Sequence, residues 1–133
     1  MDRIKGQGGQ TLIEFTLILP FLLLVLFAIF QFGFLFYSYI SIQQAAREGV
    51  RIAAVGKNDT LITTAIQNAS TLDPAKLTIS ITPAPATRLA GTNVTVTVII
   101  PSAQLLELPF VDTYLPTQLT GKATMRMEQN YIP

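Results

Sequence analysis

The 133-residue chain has no cysteine and no histidine. Without cysteine there is no disulfide framework and no thiolate metal site. Without histidine the commonest general base and the commonest metal ligand are both missing. Charge is scarce, at 13% of residues, and nearly balanced at +1. No basic patch with interleaved aromatics marks a nucleic-acid surface. No phosphate-cradling glycine loop and no metal-ligand cluster occurs. Glu107 and Asp112 form a close acidic pair in a proline-rich stretch. Two carboxylates do acid–base work only when held across a pocket, and these read as solvated surface charges. The inventory argues against an enzyme, a cofactor, a metal, a nucleic-acid partner or a small-molecule substrate.

What the chain does have is one long apolar run. From Phe15 to Ala46 no residue is charged. As a helix this stretch extends about 48 Å, more than the roughly 30 Å of a bilayer's hydrocarbon core. The helix is therefore expected to span a membrane and project beyond it. Arg3 and Lys5 place the N-terminus in the cytoplasm by the positive-inside bias, and Tyr37 and Tyr39 suit the far interface. The run is longer than the apolar region of a cleaved signal peptide. Glu14 sits at the cytoplasmic edge of the span among Leu12, Ile13, Phe15 and Leu17. A carboxylate in lipid costs a few kcal/mol unless paired. It either lies at headgroup level or meets a cation from another chain. Pro20 leaves the Thr16 carbonyl without its usual helical partner, which predicts a mild kink.

The segment Gly8-Gly9-Gln10-Thr11-Leu12-Ile13-Glu14-Phe15 resembles the processing site of type IV-like prepilins. That resemblance implies a cut between Gly9 and Gln10 by a membrane prepilin peptidase. It also implies an assembly role for Glu14, whose carboxylate neutralises the new α-amino group of a neighbouring Gln10. The pair of segments Gly9–Pro20 (GQTLIEFTLILP) and Gln43–Gly56 (QQAAREGVRIAAVG) is more specific. Together they resemble the TadE-like family, minor pilins or pseudopilins of the tight-adherence (Tad, Flp-type) pilus and secretion machinery. Thr120–Glu128 is similar to that family's closing strand. Gln10 departs from the phenylalanine usual in ordinary type IV pilins, and Phe15 from the tyrosine of the much shorter major Flp pilins. The partners implied are the peptidase, the inner-membrane assembly platform and other pilins.

Beyond the span, Ile42, Ala46, Val50 and Ala53 recur at helical spacing and make an apolar face. Arg47, Glu48 and Arg51 lie elsewhere on that helix. Glu48 and Arg51 can pair, and the block is either a solvated face or a contact with a neighbouring subunit. Gly56 is a natural C-cap. Asn58 or Asp59 caps a second helix, with Leu61, Ile62, Ala65, Ile66 and Ala69 as its stripe and Asp73-Pro74 at its end. Period-two alternation predicts strands at Leu77–Thr82 and Val94–Ile100. A third is expected at Leu119–Glu128, with Ala123, Met125 and Met127 on one face. Residues 83–92 read as the hairpin loop. Pro101–Pro116, rich in Leu105, Leu106, Leu108 and Phe110, reads as a connection folded onto the core. Ala45, Ala46, Gly49, Ala53 and Ala54 would let the helix pack closely on the sheet.

The expected architecture is α+β: a long N-terminal transmembrane helix projecting into a small domain with a short second helix and a three-stranded antiparallel sheet. The expected organisation is a leader at 1–9, a span at 10–40 and an extracytoplasmic domain at 41–133. Only about eighty residues remain for the globular part, so its core is small. It is expected to lean on its own helix or on neighbouring subunits. The expected location is a single-pass inner-membrane protein with its C-terminal domain outside the cytoplasm. The rival reading is an uncleaved signal-anchored binding module of the envelope, in which Glu14 is incidental.

Overall fold

The computed structural model describes residues 7–102 and 116–133. Arg3 and Lys5, and the apolar connection with Glu107 and Asp112, lie outside these residues. The described chain runs α1 (Gln7–Ala54), α2 (Asp59–Ala69), a 3₁₀ turn (Pro74–Lys76), β1 (Thr78–Thr82), a second 3₁₀ turn (Pro85–Thr87), β2 (Asn93–Pro101) and β3 (Gln118–Arg126). It is an α+β chain in two compact units, the first ending at Phe34 and the second beginning at Leu35.

In the first unit the stretch of α1 from Leu17 to Phe30 is apolar on every side. Phe21, Leu24, Phe27 and Phe30 are all exposed. A helix with no polar face is stable only where lipid or other apolar surface surrounds it. By length and composition α1 is a candidate membrane span. Pro20 lies inside it, and the helix continues through that residue. One turn earlier the Thr16 hydroxyl donates to the Leu12 carbonyl at 2.8 Å.

In the second unit the C-terminal part of α1 packs on a sheet of order β1-β2-β3, antiparallel throughout. Ile81 pairs with Val96 and Val96 with Ala123. The alternation in β2 buries Val94, Val96, Val98 and Ile100 completely, while its Thr and Asn side chains turn the other way. Against them lie Ile42, Ala45, Ala46, Val50 and Ala53 of α1 and Ile62 and Ile66 of α2. Small residues set the spacing. A Cβ on Gly49 would overlap the Ile66 side chain. A Cβ on Gly121 of β3 would lie 2.5 Å from the Ile42 carbonyl oxygen, so strand and helix backbones touch there.

The ends follow local chemistry. Gly56 has φ +77°, the left-handed conformation that ends helices. The last helical carbonyl, Ala54, accepts from the Glu128 amide at 2.7 Å. Asn58 is the N-cap of α2, its Oδ1 accepting from the Leu61 amide at 3.0 Å. Several expectations shift. Leu61 is 51% exposed, so the buried stripe of α2 is Ile62 and Ile66. That helix ends at Ala69, before Asp73-Pro74; Asp73 instead caps the first 3₁₀ turn through the Ala75 amide. The third strand starts at Gln118 and stops at Arg126; Met127 still bonds Thr92 and Gly91, and from Glu128 the chain turns away to cap α1.

Candidate functional site

The residues singled out from the sequence fall in two places. Gly9, Gln10, Glu14 and Pro20 lie on α1 in the first unit. Gly9 is within the helix, and a Cβ there would meet nothing within 4 Å. The Gln10 side-chain amide donates to Glu14 Oε1 at 3.2 Å, one turn away. At 3.2 Å this is a long hydrogen bond, and its donor is an uncharged amide. The Glu14 carboxylate therefore stands among exposed apolar side chains with no cation beside it among the described residues. Next to it Leu12, Ile13, Thr16, Leu17 and Pro20 border an open apolar hollow of ≈ 520 Å³. A carboxylate so placed calls for a positive charge from elsewhere once it is in lipid.

Arg47, Glu48 and Arg51 lie on α1 in the second unit. Arg51 grips Glu48 with two bonds, Nη2 to Oε1 at 2.6 Å and Nε to Oε2 at 3.1 Å. The Arg51 hydrogen bond, with a smaller contribution from its charge, holds the Glu48 carboxyl below its ordinary pKa. The same contact raises the Arg51 guanidinium. Both side chains are exposed, 65% for Arg51 and 39% for Glu48, so the pair adds little to stability. Its contribution is present above the usual carboxylate range and is lost as pH falls through the depressed value. In an NMR titration, Arg51→Gln is expected to move the Glu48 midpoint upward. An unchanged midpoint would contradict the pairing.

A residue not singled out from the sequence anchors the second unit. Arg88, in the loop between β1 and β2, is only 2% exposed. Its Nη1 and Nη2 donate to the two Asp59 carboxylate oxygens, and Nε donates to the Pro83 carbonyl at 2.7 Å. The Tyr131 ring lies 5.4 Å from the guanidinium carbon. The Tyr131 amide in turn donates to the Arg88 carbonyl. One side chain thus joins the start of α2, the loop and the C-terminal tail. A charged residue between prolines and a glycine reads as a solvated loop residue, so the sequence carried no local signal of burial.

Residues 9–51 match the family model described as TadE-like protein. The chain carries a TadE-like segment. The match begins at Gly9 and ends at Arg51, so it spans Gln10, Glu14, Pro20, Arg47 and Glu48 as well. The three strands and α2 lie beyond it. No curated protein and no solved structure matches the chain. Among the described residues no three histidine, cysteine, aspartate or glutamate side chains are grouped to hold a metal.

Proposed function

We propose that the chain is a minor pilin or pseudopilin of a Tad (Flp-type) pilus assembly or secretion system. In this reading residues 1–9 are a cytoplasmic leader, 10–40 the membrane span and 41–133 an extracytoplasmic domain. A prepilin peptidase cuts between Gly9 and Gln10 on the cytoplasmic side of the inner membrane. The trimmed helix then packs among other pilins on the assembly platform, with Arg47, Glu48 and Arg51 available for a further subunit contact.

The observation that carries the reading is the TadE-like match over an apolar helix that holds Glu14 without a cationic partner. Cleavage after Gly9 would create a positive α-amino group at Gln10. A neighbouring subunit's amine is the complement that an unpaired carboxylate in an apolar setting requires. Such a pair also fixes the axial register of one helix against the next.

The test is Glu14→Ala in the native host. The variant is expected to insert in the membrane at wild-type amounts. Its share of the sheared filament or assembled fraction is expected to fall by about tenfold or more, since losing even about 1.4 kcal/mol of pairing changes an equilibrium tenfold. Normal incorporation of the Glu14→Ala chain would remove Glu14 from assembly.

A further inference from the structure

Between α1 and the outer edge of β3 runs an open groove of ≈ 570 Å³. Arg47 and Arg51 line its helix wall, Val50, Ala123 and Met125 its apolar floor, and Lys122 its strand wall. Met125 is 40% exposed there.

Two properties of this groove call for a ligand of one kind. The first is its backbone. β3 pairs with β2 along nine residues, and among the described residues no backbone bond forms on its other side. Every second residue of an antiparallel edge strand leaves its N–H and C=O facing outward. The second is its charge. The Arg47 and Lys122 side chains have no ion-pair or hydrogen-bond partner among the described residues. Both oxygens of Glu48, the carboxylate in the wall, are held by Arg51. Strand periodicity puts Lys122 and Arg126 on the face opposite Ala123. A strand added to this edge would therefore meet an unpaired cation on each face, Arg47 on the helix side and Lys122 on the other, whereas Arg51 is paired with Glu48 and Arg126 donates to the Gly91 carbonyl at 3.1 Å.

The same charges discriminate between occupants. A second copy of β3 would set Lys122 and Arg126 against themselves, and like charges across strands repel. A second copy of β1 would offer the neutral Thr78, Ser80 and Thr82, which leave the cations uncompensated. We propose that the groove takes an extended acidic segment of a partner polypeptide, added to β3 as a fourth strand. Main-chain bonds along the edge supply affinity, and the rim cations select acidic side chains. This binding does not depend on helix-mediated assembly, so it can be measured on the unassembled protein.

The experiment uses the full chain in nonionic detergent micelles and a fluorescent peptide of alternating glutamate and valine, read by anisotropy. Saturable binding is expected. Reversing two exposed rim charges together, Arg47→Glu with Lys122→Glu, is expected to weaken it by about tenfold or more. Lys57→Glu, an exposed cation outside the groove, is expected to leave it unchanged. Circular dichroism confirms that each variant folds. A peptide of the same sequence N-methylated at alternate residues keeps its charge but cannot pair along the edge, and it is expected not to bind. The proposal is overturned if no saturable binding occurs, or if the methylated peptide binds as well. It is equally overturned if the Arg47/Lys122 reversal has no effect, or if Lys57→Glu weakens binding as much.

Discussion

Asp59→Ala is expected to destabilise the second unit by about 3–5 kcal/mol, the range for removing one partner of a buried ion pair. Arg88→Met is expected to be milder. The asymmetry follows from burial. The Arg88 side chain is 1% exposed and that of Asp59 is 41% exposed. Removing Asp59 leaves a guanidinium in the interior with the Pro83 carbonyl and the Tyr131 ring as its remaining partners. Removing Arg88 leaves a carboxylate that water already reaches. Methionine also refills part of the space with apolar volume. Asp59 further loses its place in the first turn of α2, where a negative charge opposes the helix dipole for about 0.3–1 kcal/mol. Thermal melts of the full chain in detergent, followed by the strand signal, give the order directly. If Arg88→Met melted lower than Asp59→Ala, the buried cation would not be the dominant liability.

Gly121→Ala is expected to be more damaging than Gly49→Ala, the other glycine in the helix–sheet packing. Its Cβ would lie 2.5 Å from the Ile42 oxygen, 2.7 Å from the Ile42 carbonyl carbon and 3.0 Å from the Gln43 nitrogen. All three are helix backbone, so no side-chain rotation relieves the overlap. Strand and helix must separate, which opens the packing of Ile42 and Ala46 on β2 and β3. Overpacking of this kind costs about 1–3 kcal/mol, occasionally more. For a unit of this size each 1 kcal/mol lowers the melting temperature by roughly 4–8 °C. Gly49→Ala provides the comparison. Its Cβ meets the Ile66 side chain, with Val96 Cγ1 at an ordinary 3.4 Å. Ile66 can turn, so a smaller loss is expected. Equal losses at the two glycines would mean that the helix yields at Ile42 as easily as a side chain does.

These two sites also mark where sequence reading stopped. The span, the amphipathic continuation of α1 and the alternating strands were legible because each is a local pattern. Val94, Val96 and Val98 announce a buried face whatever lies opposite. The role of Gly121 depends on a helix carbonyl some eighty residues earlier in the chain. The role of Arg88 depends on Asp59 and Tyr131, one far before it and one far after. No window along the chain holds those pairs together. The end of β3 was misplaced for the same reason, since Glu128 turns away to bond the Ala54 carbonyl. At the candidate site, Glu14 and the Gly9-Gln10 step stand out as a local motif, whose proposed role the Glu14→Ala variant tests. The Glu48–Arg51 pair was legible from its spacing. The groove beside them was not, because β3 supplies its second wall.

The central claim is that this chain, which carries a TadE-like segment over residues 9–51, is a processed pilin-type subunit rather than a plain anchor. Its most direct test is the intact mass of the protein purified from membranes of its native host. The account predicts a chain that begins at Gln10. A chain still carrying Met1 to Gly9, in cells whose prepilin peptidase is active, would contradict it and return the protein to a signal-anchored binding module.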